Sequence, residues 1–202
     1  MVAIIDYGVG NLFSLKSSFA KIGADAVVTS DEKVIKNADK ILLPGVGAFA
    51  DAANKLRASG LGELLKQQVQ TGKYVMGICL GMQLLFDKSF EYGEHEGLGL
   101  LRGNVVPMKG YVDERLKVPH IGWNGLHFTR PHFLFEGIKE GDCAYFVHSY
   151  YAADCNESVI ATTEYDKPIT ASVAKDNVLG CQFHPEKSGD VGLKILENFC
   201  RR

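Results

Sequence analysis

The chain reads as an α/β protein: a mostly parallel central sheet covered by helices on both faces, with antiparallel strands added in its second half. Three observations point there. Short apolar runs alternate with amphipathic stretches through about the first ninety residues. The run Lys40-Ile41-Leu42-Leu43 is apolar at its centre, as a strand buried on both faces must be. After Gly93 the alternation gives way to strand-like segments separated by turn residues.

Taken in order, Val2-Ala3-Ile4-Ile5 is a β-rich first strand that runs into the turn-forming loop Asp6 to Asn11. Leu12, Leu15, Phe19 and Ile22 then fall on one helical stripe, which Gly23 ends. Gly8 and Gly10 before that helix could suggest a phosphate cradle. The loop matches neither Gly-x-Gly-x-x-Gly nor a P-loop, so a tight strand-to-helix turn is the better reading. Ala26-Val27-Val28 is a second strand, and Thr29 to Glu32 has capping-box spacing ahead of a short helix. The third strand, 40–43, leads through Pro44-Gly45-Val46-Gly47-Ala48-Phe49 into helical sequence from Asp51 to about Thr71, broken near Ser59-Gly60. Tyr74 to Ile78 is the fourth strand, and Gln83-Leu84-Leu85-Phe86 reads as a helix opening after it. Residues 94–100 are loop. Two strands are expected between Asn104 and about Phe128, another over 143–148, a hairpin over 158–174 around Asp166-Lys167-Pro168, a strand over 178–183, and a closing helix over 191–200. There is no repeat, low-complexity tract or linker, so residues 1–202 are expected to form one domain.

Composition narrows the classes. The 202 residues are 46% hydrophobic and 23% charged, ordinary for a globular protein with a real core. A net charge of −2 leaves no electrostatic footprint for nucleic acid or an anionic membrane. No apolar run approaches the roughly 20 residues that span a bilayer, and the N-terminus lacks the basic region and cleavage site of a signal peptide. The five cysteines are odd in number and form no Cys-x-x-Cys pair, which argues against a disulfide framework or a structural zinc site. A reducing, cytoplasmic setting fits, and neither a cofactor nor a metal is expected.

The chemistry concentrates at Gly77-Ile78-Cys79-Leu80-Gly81-Met82-Gln83. A cysteine sits at a strand-to-helix turn with glycine two residues away on each side, the pattern of a nucleophile elbow. A cysteine at random is far more often an inert buried filler; the glycines and the turn reverse that expectation. A nucleophile needs a base, and six histidines compete. His95, His127 and His132 fall in loops or at strand edges, while His120 precedes Ile121-Gly122-Trp123-Asn124 and His148 precedes Ser149-Tyr150-Tyr151. His184 falls at the end of an apolar strand, where α/β sheets hold their ligands, and proline follows it. Glu186, two residues on, would share its side of an extended segment and orient the ring. Cys79, His184 and Glu186 thus supply nucleophile, base and orienter.

Gly77 to Gln83 together with His184-Pro185-Glu186 resembles the class I, triad-type glutamine amidotransferases. Asp6-Tyr7-Gly8-Val9-Gly10-Asn11-Leu12, Pro44 to Phe49 and His120-Ile121-Gly122-Trp123-Asn124 resemble, within that class, the glutaminase subunits of imidazole glycerol phosphate synthases. Tyr145 to Tyr150 and Gln182 to Ser188 also fit. The resemblance runs from the first strand to the last helix and implies a flavodoxin-like three-layer fold. It implies hydrolysis of glutamine to glutamate and ammonia through Cys79, His184 and Glu186, with the oxyanion held by the backbone N–H groups of Leu80 and Val46. Glycines flanking Val46 would permit a peptide flip, so the isolated subunit is expected to be nearly idle. Gly47, Gln83, Glu91, Ser149 and Tyr150 match positions that hold glutamine; for Glu91 a plain surface glutamate is an equal reading. The implied partner is a (β/α)8-barrel cyclase subunit that takes the ammonia and forms imidazole glycerol phosphate and an aminoimidazole carboxamide ribonucleotide in histidine biosynthesis. Asn11, Trp123, Tyr145 and Lys187 match the interface positions. Two alternatives stand beside this: a glutaminase of the anthranilate or guanylate synthase type, which the His120–Asn124 stretch disfavours, and a flavodoxin-like binding or redox protein with a reactive cysteine, which the His184–Glu186 pair disfavours.

Overall fold

In the computed structural model, which describes residues 1–202, strand and helix alternate as far as the elbow. β1 (Val2–Ile5), α1 (Leu12–Lys21), β2 (Ala26–Thr29), α2 (Glu32–Asn37) and β3 (Lys40–Leu43) come first; α3 (Phe49–Ala58), α4 (Leu61–Gln70), β4 (Tyr74–Ile78) and the one-turn helix α5 (Leu80–Gln83) follow. Asn11 caps α1 by accepting from the Ser14 N–H at 3.4 Å, and Gly23, at φ +71°, closes it. The expected interruption of the long helical stretch falls at Gly60, whose φ of +73° separates α3 from α4. The predicted capping box does not form. Asp31 is the cap of α2, accepting from Lys33 and Val34 N–H at 2.7 and 3.2 Å, while Thr29 Oγ1 accepts from Asp31 N–H.

The second half supplies β5 (Phe86–Ser89), β6 (His95–Glu96), β7 (Leu101–Pro107), β8 (His120–Gly125), β9 (His127–Phe128), β10 (Cys143–His148) and β11 (Tyr150–Ala153). The hairpin of β12 (Val159–Tyr165) and β13 (Lys167–Lys175), then β14 (Val178–Cys181) and α6 (Gly189–Arg201), complete the chain. The helix expected through Phe86 is corrected to a single turn followed by β5. The carbonyls of Leu84, Leu85 and Phe86 accept from the N–H groups of Leu98, Leu100, Leu101 and Gly99, so this loop takes the acceptors a continuing helix would need.

The main sheet has the order β2-β1-β3-β4-β14-β13-β12-β9. From β2 to β14 neighbours are parallel; β13, β12 and β9 are added antiparallel. Side chains alternate across it with the two-residue period of a strand. Ala3, Ile5, Ile41, Leu43 and Val75 pack under α2, α3 and α4; Val2, Ile4, Leu42, Met76 and Ile78 pack under α1 and α6. Two smaller sheets, β10-β8 and β11-β7-β5-β6, stand beside it. No helix is long and apolar enough to cross a membrane.

Candidate active site

The topology puts the elbow between two parallel neighbours, β3 and β14. Cys79 is at φ +53°, ψ −112°, a backbone state that L residues adopt only when their surroundings impose it. The surroundings are backbone. A Cβ on Gly81 would lie 1.9 Å from Leu43 O, and one on Gly77 would lie 2.5 Å from Gly81 O. A Cβ on Gly45, in the segment after β3, would lie 2.6 Å from Gly81 N. No side chain fits at these three positions. The first N–H groups of α5, Leu80's among them, have no carbonyl inside the turn to bond.

His184 arrives from β14, one strand away, and is pinned by its main chain. Its N–H donates to Tyr145 O at 2.9 Å, while Ser188 Oγ donates to His184 O at 2.7 Å and accepts from Tyr145 N–H at 2.9 Å. Ser188, fully buried, therefore clamps the 184–188 turn to β10, a role the sequence reading did not assign. Glu186 Oε1 accepts from His184 Nδ1 at 2.8 Å. The route differs from the one expected: Pro185–Lys187 is a 3-10 turn, not an extended segment, and the turn folds the carboxylate back under the ring. On His184 burial is the largest single influence and opposes its cation. Negative charge on the nearby Cys79 and on Glu186, the latter bonded to Nδ1, together exceed it and raise the imidazole to about 9.

These groups open on a cavity of about 740 Å³ at the carboxyl edge of the sheet. Cys79, Leu80, Gln83 and His184 line it, and Val46 and Gly47 form one side, with Val46 41% exposed and Gly47 at φ +94°. Glu91, Ser149 and Tyr150 line it as well. Glu91 is not a free surface residue: its Oε2 accepts from Phe49 N–H at the start of α3. Tyr150 O accepts from both Gln83 Nε2, at 3.1 Å, and His148 Nδ1, at 2.9 Å.

The residues expected to face a partner lie on two neighbouring patches. Trp123 and Tyr145 are register partners on β8 and β10 with rings edge to face at 6.0 Å, and Lys187 Nζ lies 5.9 Å from the Tyr145 ring centre. Trp123 is 56% exposed and so is not part of the core. Lys187 also lines the cavity. Asn11 caps α1, which packs against the 185–187 turn.

Two buried polar groups were not anticipated. His148 Nε2 lies 3.1 Å from His120 Nδ1, and His120 Nε2 lies 2.9 Å from Asn124 Oδ1. Gln182, completely buried, bridges Gln83 and Cys79. Gln182's place beside His184 on the same strand end was the one available signal; the histidine pair is a contact across β8 and β10 that spacing does not reveal.

Comparison with known proteins defines the class first. Residues 3–202 match the family model described as glutamine amidotransferase class-I. A solved glutamine amidotransferase superposes with a TM-score of 0.75 at 21% identity, covering 98% of each chain, and shares the fold. The imidazole glycerol phosphate synthase subunit HisH of Sulfurimonas denitrificans is 53% identical over 203 residues, covering 100% of this chain and 98% of its own. The subunit of the same name from Caldanaerobacter subterraneus subsp. tengcongensis is 52% identical over 201 residues, covering 98% and 97%. The chain belongs to the class-I glutamine amidotransferase family and, within it, to the HisH subunits of imidazole glycerol phosphate synthase.

Proposed function

We propose that the chain hydrolyses glutamine through Cys79, His184 and Glu186 and delivers the ammonia to a cyclase subunit. The observation that carries this is the buried imidazole of His184, held by Glu186 on one nitrogen and lining the same cavity as the Cys79 sulfur. The Cys79 thiolate attacks the side-chain carbonyl carbon of glutamine, and the imidazolium of His184 gives its proton to the departing ammonia. That leaves a γ-glutamyl thioester. Water, deprotonated by His184, attacks it; the C–S bond breaks and glutamate leaves with the thiolate restored. The oxyanion in both halves is held by the N–H of Leu80 and, once its peptide faces the site, that of Val46; a missing donor costs about 2.7–4 kcal/mol of barrier. Glutamine itself is held by Gly47, Gln83, Glu91, Ser149 and Tyr150.

Ammonia released to water is protonated and lost, so a glutaminase without a synthase domain needs a companion. The companion is a (β/α)8-barrel cyclase, docked on Asn11, Trp123, Tyr145 and Lys187, that makes imidazole glycerol phosphate and an aminoimidazole carboxamide ribonucleotide. The whole chain acts as one domain of a cytoplasmic heterodimer in histidine biosynthesis. The test is glutamate release by the parent and by Cys79→Ala, each with and without the cyclase. The expected result is low turnover by the parent alone, a large rise with the cyclase, and none for Cys79→Ala. Turnover that survives loss of the thiol overturns the reading.

A further inference from the structure

The register of β14 against β4 brings a second group, besides the imidazole, to the elbow sulfur. Gly180 pairs with Gly77 and Cys181 with Ile78, so the next residues, Gln182 and Cys79, come side by side where both strands end. Cys79 N–H donates to Cys181 O at 2.7 Å and fixes that alignment. The Gln182 side chain, fully buried, lies with Nε2 3.7 Å from Cys79 Sγ and Oε1 3.0 Å from Gln83 Nε2.

Which end of each amide faces which neighbour is set by elimination. Tyr150 O is a main-chain carbonyl and can only accept. The group of Gln83 that meets it at 3.1 Å must therefore be its NH2. That same nitrogen lies against Gln182, so Gln182 must present its oxygen there and its NH2 to the sulfur. The two protons of Gln83 Nε2 are then both used, leaving Oε1 as the atom it turns toward the cavity it lines. One protein oxygen is also in reach of the sulfur, Val147 O at 4.0 Å, which accepts from a thiol and disfavours a thiolate. The N–H of Gln182 counters it.

The geometry points to Gln182 as a positioning residue for the glutaminase reaction: its carboxamide, locked in direction by the relay from Tyr150 O through Gln83, donates an N–H to Cys79 Sγ and favours the thiolate. The inference rests on the reading of Cys79 as nucleophile. A buried glutamine that served only packing would need no particular end toward the sulfur.

The test is alkylation of Cys79 by iodoacetamide, followed by peptide mass across pH 5 to about 10, beside glutaminase kinetics of the cyclase complex. Other charged or titratable groups face or share this space. His184 and Glu186 come from the 184–188 turn, Tyr7 from the β1–α1 loop, His148 from β10, and Lys187 and Glu91 line the cavity. Each variant is therefore read against the parent and not against a free thiol. Gln182→Met keeps the volume and removes the donor; Gln182→Glu keeps an acceptor for Gln83 and puts a carboxyl oxygen on the sulfur. The alkylation midpoint should rise by about one pH unit in the first and further in the second, with alkylation at pH 7 falling about tenfold or more, since below its midpoint thiolate falls tenfold per unit. The kcat should fall in the same order, with a smaller change in KM. Parent-like alkylation profiles in either folded variant overturn the proposal, whatever happens to melting temperature. If both variants fail to fold, the amide signals of Gln182 in the isotopically labelled parent decide: a shift on alkylation of Cys79 supports the contact, and no shift overturns it. Should alkylated parent still release glutamate, it is the reading of Cys79 that fails and not the contact.

Discussion

Two imidazoles on one cavity wall, His148 and His184, are 6% and 3% exposed, yet they hold protons in opposite ways. Burial is the largest influence on His148. A hydrogen bond to Tyr150 O only partly offsets it, His120 and His184 add to it, and the ring is pushed down to about 3. His184 suffers the same burial, but Cys79 and Glu186 supply negative partners and lift it to about 9. The comparison teaches that position on the cavity does not decide whether an imidazole keeps its proton; a carboxylate on one nitrogen and a thiol nearby do. His148 joins a neutral chain to His120 and Asn124, whose Nδ2 ends on Glu164 O, and that chain builds the wall.

The largest effect that would sharpen the contrast is on turnover. His184→Gln should lower kcat about 10³- to 10⁴-fold, the upper part of what a general acid–base contributes, while His148→Gln should stay within about tenfold of the parent. Equal losses in steady-state glutaminase assays would break the comparison. Next comes Glu186→Gln, which keeps the shape of the turn and removes the charge. It should cost about 10²-fold or more in kcat, as an orienting carboxylate does in other triads. It should also lower the pKa of His184, seen as a downward shift of the imidazole titration by NMR. Removing His148 should act on the fold instead: stranding the Tyr150 and His120 partners should cost about 1–3 kcal/mol in urea denaturation.

A subtler consequence concerns pH. The folded pKa of His184 is raised above 6.5, so its contribution to stability is full below pH 6.5 and is lost as pH climbs through about 9. The folded pKa of His148 is depressed, so the unfolded chain takes up the proton first, and stability falls as pH drops from 6.5 toward about 3. Denaturation midpoints across this range should show His184→Gln flattening the alkaline limb and His148→Gln flattening the acid limb. The smallest expected effect on folding is that of Trp123→Ala, within about 0.5 kcal/mol for an exposed residue. The same change should weaken binding to the cyclase by about 2 kcal/mol or more in titration calorimetry.

The parts legible in the sequence share one property: they are local. The elbow showed in two glycines about a cysteine, the imidazole–carboxylate pair in a histidine–proline–glutamate run, and the layering in apolar periodicity. The helix drawn through Phe86 went wrong because periodicity records which residues are buried, while the competing acceptor bonds from residues 98–101 are non-local. The strand expected over 143–148 is β10, but β11, which starts just past Ser149 and pairs with β7 instead of β8, went unread because that pairing is non-local. Gln182 went unassigned for the same reason: its importance lies in Cys79 and Gln83, a hundred residues away.

The bond from Cys79 N–H to Cys181 O has a consequence for control. Sulfur and imidazole ride on adjoining strands stitched together up to their last residues, so no signal can throttle the enzyme by prising that couple apart. The peptide flip proposed for Val46 fits that constraint, since the ribbon from Gly45 to Gly47 rests on the elbow with Val46 open to solvent. If turnover waits on that ribbon as proposed, an electrophile should find the sulfur while glutamine waits.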